Sequence, residues 1–208
     1  MKANIIGVII ALALAFAGAI GALAQNAKVS EVRKVEDFSS LKITSVASVY
    51  FVQGDRCSIR LEGKEKWVKL TTTEVEDGCL TIAFKKGGKN HKGNIDGLKI
   101  FVTAPTLEAA TLAGVGGFKC EEPLKLDDFT LNVTGVGSAE ISHLTCRNLF
   151  VGMSGVGEAV VNVDCDYLKA GMSGVGSLEL SGCAGKADIS RGGIGSVNTK
   201  HLKIKNEE

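Results

Sequence analysis

Val151-Gly152-Met153-Ser154-Gly155-Val156-Gly157-Glu158-Ala159-Val160-Val161 is the stretch that decides the fold. Its pattern returns 19 residues later as Ala170-Gly171-Met172-Ser173-Gly174-Val175-Gly176-Ser177-Leu178-Glu179-Leu180. Two more copies of the central tripeptide stand upstream, Gly114-Val115-Gly116 and Gly135-Val136-Gly137, and a near-copy, Gly193-Ile194-Gly195, stands downstream. Successive starts lie 21, 20, 19 and 19 residues apart. A fixed period of about 20 residues marks a solenoid, in which each repeat is one coil stacked on the last.

Within each repeat the apolar positions alternate. Leu131 and Val133, Val151 and Met153, and Ala170 and Met172 precede the glycines; Ala139 and Ile141, Ala159 and Val161, and Leu178 and Leu180 follow them. Between them lie Asn132, Thr134, Glu140, Ser154, Ser173 and Glu179. Period-two alternation puts the first set inside and the second outside a sheet. Strands of four to six residues joined by tight glycine corners predict an all-β, right-handed parallel β-helix with two or three strands per coil. Five coils at the usual strand spacing give a stack about 24 Å tall. Such stacking sets Met153 against Met172, and Val136, Val156, Val175 and Ile194 against one another inside it. Glycine suits each corner because it alone adopts positive φ without steric cost. Gly114, Gly116, Gly135, Gly137, Gly155, Gly157, Gly174, Gly176, Gly193 and Gly195 are thus structural and need no ligand. The row beside them, Ser138, Glu158, Ser177 and Ser196, is the candidate binding face.

Upstream, residues 25–37 are polar and read as a lead-in linker. From Phe38 short alternating runs take over, at residues 41–44, 48–53, 57–61, 79–84 and 98–103, with a short helical turn or loop near 64–70. Residues 38–106 are expected to begin or cap the solenoid and cover its first edge, because an uncovered edge invites aggregation. Residues 107–203 hold the repeats. The basic excursion 85–94 reads as a solvated loop tip, with docking to an acidic glycan or lipid as the other reading.

The first 24 residues have the form of an export signal: Lys2, an apolar stretch over residues 5–20, and the small-residue site Ala22-Leu23-Ala24, which makes Gln25 the expected mature N-terminus. The stretch is shorter than the roughly 20 apolar residues that span a bilayer. No second such run follows, so no membrane span is expected in the mature chain. The formal net charge is +1, falling to about zero without Lys2, which excludes the dense basic surface that nucleic-acid binding needs.

Six cysteines in an exported chain open the way to disulfides. Cys57 and Cys79 each open an apparent strand and would bridge if those strands pair. Cys146 and Cys165 each lie three residues before a strand-starting leucine and would stack in adjacent coils, within disulfide reach. The alternative reading makes both small buried hydrophobes. A zinc site is not expected: no Cys-x-x-Cys occurs, and His91, His143 and His201 stand apart.

Other motifs fail on inspection. Gly135-Val136-Gly137-Ser138-Ala139-Glu140 lacks the third glycine and following helix of a dinucleotide fingerprint, so no cofactor is expected. Calcium-binding nonapeptides need an Asp that none of the repeats supplies. Glu140, Glu158 and Glu179 could share an outer face, but no cluster of Arg, Lys or His stands beside them in sequence to tune paired carboxylates for glycoside hydrolysis. An exported binding module is therefore preferred, with a carbohydrate-active β-helix enzyme (a polysaccharide lyase or hydrolase) as the alternative.

The chain also resembles a known family, the exported bacterial proteins of the putative auto-transporter adhesin, head GIN domain type. The resemblance covers roughly residues 38–202. It rests on Phe38-Ser39-Ser40-Leu41-Lys42-Ile43, on Val49-Tyr50-Phe51-Val52-Gln53-Gly54-Asp55, on Glu74-Val75-Glu76-Asp77-Gly78-Cys79-Leu80-Thr81-Ile82, and on the repeats Ser154-Gly155-Val156-Gly157 and Ser173-Gly174-Val175-Gly176. Ala113, Thr134 and Gly192 depart from the family's serine. The resemblance implies a β-solenoid over residues 38–203 and brings the family's adhesin label; the export signal and the repeat surface make a glycan or surface protein the expected partner, at the periplasm, outer surface or extracellular side. It implies no catalytic residues.

Overall fold

A computed structural model describes residues 27–85 and 97–205. The expected signal segment, its cleavage site Ala24-Gln25, and most of the basic excursion lie outside the described residues. Among the described residues, fifteen strands form one continuous sheet wound on itself, with a single short helix. No described helix is long and apolar enough to cross a membrane.

The repeats form the regular part. Strands β12 (Val136–Met153), β13 (Val156–Met172) and β14 (Val175–Arg191) each wind almost once around the axis, and β15 (Ile194–Ile204) winds part of the way. They pair in parallel, each with the next, in near-perfect register. Each winding has three runs. In β12 they are residues 136–141, 144–146 and 148–153, with a register shift after Ile141. A glycine corner then leads into the next coil. Earlier in the chain the same runs are separate strands: β8 (Ala109–Leu112), β9 (Val115–Cys120), β10 (Leu124–Lys125) and β11 (Asp128–Val133). Alternation governs burial throughout. Ala139, Ile141, Leu149, Val151 and Met153 face in, as do their opposites on β13; on β14 Leu178 and Leu180 are buried, Ala187 and Ile189 partly so, and Arg191 opposite Met172 is exposed. Met153 and Met172 pair and are buried, as the alternation predicts.

Residues 38–104 do more than cap the stack. Strands β2 (Ser40–Ile43) and β3 (Val46–Gln53) pair in parallel with β8 and β9 and form a coil of their own. A further coil, β6 (Cys79–Phe84) and β7 (Lys99–Ala104), stacks outside it on β2 and β3. Chain order and stacking order therefore differ: the β2–β3 coil lies between the β6–β7 coil and the repeats. The chain makes the exchange through an antiparallel excursion. Strand β4 (Ser58–Lys64) pairs with β7, and β5 (Thr71–Glu76) with β6; helix α1 (Glu65–Leu70) joins β4 to β5 and buries Trp67 and Val68.

The expected 25–37 linker holds a strand. Within it, β1 (Lys28–Arg33) pairs antiparallel with β4 along its whole length. Its polarity misleads because an outermost strand buries only one set of side chains. Arg33 fixes it in place, donating to the carbonyls of Thr71 at 2.6 Å and Val68 at 2.8 Å and to Glu31 at 2.7 Å. Two of these acceptors lie at the C-terminal end of α1, where backbone carbonyls lack helical partners.

Candidate functional site

Both glycines of each corner are dictated by the stack. The second, as in Gly137, Gly157 and Gly176, has φ of +153°, +145° and +142°. The first does not share that conformation. Instead, a Cβ on Gly135, Gly155 or Gly174 would stand 2.0–2.1 Å from the carbonyl oxygen of the corresponding glycine one coil earlier. Close approach of backbones along the stack, in addition to the turn angle, therefore demands glycine. The corner amides stay paired: Val156 donates to Gly135 O at 2.9 Å, and Val175 to Gly155 O at 2.9 Å.

The residue between the glycines points outward, which corrects one expectation. Val136, Val156, Val175 and Ile194 stack in register as predicted, but on the surface. With Val115 they form an aliphatic column whose members are 45–77% exposed. The parity of the strand explains it. Ala139 and Ile141 face the core, so Val136 and Ser138 must face out, and the intervening Gly137 takes the inward position.

Next to the column runs the predicted row. Ser138, Glu158, Ser177 and Ser196 are consecutive register partners on the outer face. The Ser177 hydroxyl donates to Glu158 Oε1 at 3.2 Å. A second outer row follows, Lys119, Glu140, Val160, Glu179 and Asn198. Lys119 pairs with Glu140 at 2.7 Å, and that hydrogen bond raises the lysine's pKa. Val160 separates Glu140 from Glu179 in this row. Each outer face is thus flat, with one side chain per coil per row at a spacing of about 4.8 Å.

One surface feature escaped the sequence reading. On the neighbouring face, Gly152 and Gly171 occupy outward mid-strand positions and leave an open groove between Phe150 and Lys169 on one side and Ser154 and Ser173 on the other. Phe150 meets Tyr167 edge-on, with ring centroids 6.2 Å apart. Here glycine is not forced: a Cβ on Gly171 would meet only the Ser190 hydroxyl, at 3.2 Å, and one on Gly152 only the Asn132 side chain. The signal was legible as glycine recurring two residues before the corner serine.

The cysteines fall into distinct settings. β4 and β6 are not sheet neighbours, so the condition for bridging Cys57 to Cys79 is not met. Cys57 Sγ lies against the backbone of Phe38, and Cys79 pairs with Ser40 and Glu76. Cys120 points into the core, where burial and then Glu122 push its thiol up to about 11. Cys146 and Cys165 are register partners, both buried. Among the described residues no group of His, Cys, Asp and Glu is placed to hold a metal ion.

Comparison with known proteins places this architecture. The sequence pattern described as "Putative auto-transporter adhesin, head GIN domain" matches residues 37–208. Solved structures share the fold. A putative adhesin from Parabacteroides distasonis superposes with a TM-score of 0.77 at 22% identity, covering 86% of this chain and 76% of its own. A putative lipid binding protein from the same organism gives 0.73 at 22% identity, covering 84% and 74%. A putative adhesin from Bacteroides fragilis gives 0.64 at 22% identity, covering 83% and 96%. Among curated proteins no sequence matches.

Proposed function

The chain belongs to the putative auto-transporter adhesin, head GIN domain family, and from that premise we propose that it is an exported binding module of the cell envelope. The observation that carries this reading is the exposed aliphatic column Val115, Val136, Val156, Val175 and Ile194, set beside the Ser138, Glu158, Ser177 and Ser196 row. The fold needs a β-former at the outward corner position, and threonine would serve without exposing hydrocarbon. Five exposed aliphatic side chains in register along one line make an apolar strip, and such strips on a protein surface mark contact sites. A hydroxyl and carboxylate row runs parallel to it. Together they suit an extended partner with an apolar face and a hydrogen-bonding edge, either a glycan chain or a strand of a surface protein.

The test uses Val136→Thr/Val156→Thr/Val175→Thr, which keeps branching and removes the strip. The wild-type protein is screened on glycan arrays, immobilised surface proteins and phospholipid vesicles. Binding that falls at least tenfold in the folded triple variant supports the reading. A folded wild type that binds nothing, or a triple variant that binds equally well, overturns it.

The carbohydrate-active enzyme remains a separate reading. Incubation with acidic and neutral polysaccharides, followed for new reducing ends or unsaturated products, tests it. Turnover abolished by Glu158→Gln or Glu179→Gln would replace the binding module with that reading.

A further inference from the structure

We propose that Cys146 and Cys165 form a disulfide that ties two consecutive coils of the solenoid together. Three observations place the bond. The two residues are direct register partners on the parallel strands β12 and β13. Parallel neighbours lie about 4.8 Å apart, inside the Cα range of about 4.4–6.8 Å that a disulfide spans without moving backbone. Both side chains point inward and are buried, 7% and 5% exposed. The two thiols are in hydrogen-bond contact with each other.

None of the other four cysteines has a cysteine across the sheet. Cys120 stands opposite Ile141 and donates to the carbonyl of Glu122. Cys183 stands between Asp164 and Lys203, Cys79 between Ser40 and Glu76, and Cys57 precedes β4 against the Phe38 backbone. Packing alone does not require sulfur at the paired positions. The same row continues one coil later as Ala184, fully buried. A methyl group therefore fills this place in the core, and two successive thiols are a departure from it.

The contact also orders the chemistry. The hydrogen bond from Cys146 holds the Cys165 thiol below its ordinary value, while the same bond and then burial push Cys146 up. Cys165 is the attacking thiolate. It displaces one sulfur of an oxidant disulfide, forming a mixed disulfide and releasing one thiol. Cys146 then loses its proton to solvent and attacks Cys165 Sγ, closing the intramolecular bond and releasing the second thiol. One disulfide of the oxidant is reduced as the two cysteines are oxidised. Because both sulfurs are buried in the finished coil, the exchange belongs to folding, before the later coils close over it. The oxidant is a disulfide-bearing exchange protein of an export compartment, so the cellular form of this inference rests on the export reading above; the bond itself does not.

The experiment separates the two. Purified protein is unfolded and refolded in oxidised glutathione or in dithiothreitol, and free thiols are counted by alkylation and peptide mass mapping. Refolding in oxidised glutathione is expected to give a Cys146–Cys165 linked peptide lighter by two hydrogens, with the other four thiols alkylated. The oxidised protein should melt about 5–10 °C above the reduced form, as expected for closing a loop of about 20 residues. Cys146→Ala/Cys165→Ala, a pair that the Ala184 position shows the core accepts, should fold and melt like the reduced protein under both conditions. Six free thiols after oxidative refolding, a link to another cysteine, or a double variant as stable as the oxidised wild type would overturn the proposal. A link formed in vitro but absent from protein isolated from the cell would leave the bond standing and count against export.

Discussion

The two ends of the stack are built differently. At the N-terminal end the last parallel coil, β6–β7, is covered by antiparallel strands on both outer faces, β4 and β1 on one and β5 on the other. Helix α1 closes the core there with Trp67 and Val68. At the C-terminal end β15 pairs only with β14 among the described residues. Val197 and Leu202 are only partly buried, and Ile194 and Ile204 are exposed. A coil cannot bury its own apolar interior, so each is completed by its neighbour. The first coil is completed by non-repetitive sequence; among the described residues no strand completes the last in the same way.

The glycine columns express the same polarity. Each corner glycine is crowded by the coil before it, never by the coil after: Gly157 meets Gly137, Gly137 meets Gly116, and Gly116 meets Ala47. The column begins at Ser45 and Ala47, which carry side chains, and Ala47 does not share the positive φ of its glycine counterparts. The largest expected effect follows. In Gly157→Ala the new Cβ lies 1.8 Å from Gly137 O at a φ of +145°, so the loss should exceed about 4 kcal/mol and leave little folded protein. Ala47→Gly at the head of the column should cost only about 1–2 kcal/mol, from chain entropy and the loss of one buried methyl. Urea unfolding of both variants measures the difference. Equal effects would mean that the column has no direction.

The cap should be the next most sensitive element. Trp67 is 3% exposed, and Trp67→Ala is expected to cost about 3–5 kcal/mol through lost burial and the cavity left behind. Arg33→Ala removes donors to two backbone carbonyls and one carboxylate, and should cost about 1–3 kcal/mol. Hydrogen exchange should then show amides of β1 and α1 opening before those of β12 and β13. Uniform acceleration along the chain would instead make the cap part of one cooperative unit with the repeats.

Much of this was legible. The 19–21-residue period set the coil, the alternation set its interior, and the row from Ser138 to Ser196 fell in register. Other features were hidden for physical reasons. One is the first repeat: Leu41-Lys42-Ile43-Thr44-Ser45-Val46-Ala47-Ser48-Val49 aligns with Leu131-Asn132-Val133-Thr134-Gly135-Val136-Gly137-Ser138-Ala139. It lacks the glycine signature because the head of the column does not need it. Another is the facing of the corner valines. Hydrophobicity suggested the core, whereas counting back in twos from Ile141 through Ala139 puts Gly137 inside and Val136, an odd three residues before Ala139, on the surface. The exchanged order of the β2–β3 and β6–β7 coils has no local signal, since strand pairing across 40 residues is not written in either strand alone.

The smallest effect probes the open end. Ile194 terminates the aliphatic column at 77% exposure, and Ile194→Thr keeps a β-branched side chain in the strand. Stability should move by no more than about 0.5 kcal/mol, since exposed hydrocarbon is already in water in the folded chain. The comparison that matters is with Val156→Thr, in mid-column, where neighbouring valines shield each other from both sides and the cost should be slightly larger. A loss at Ile194 that exceeds the loss at Val156, and that grows with protein concentration, would mean that in solution something covers the end. Light scattering on the same samples would then identify a second copy of the chain as the missing successor to β15.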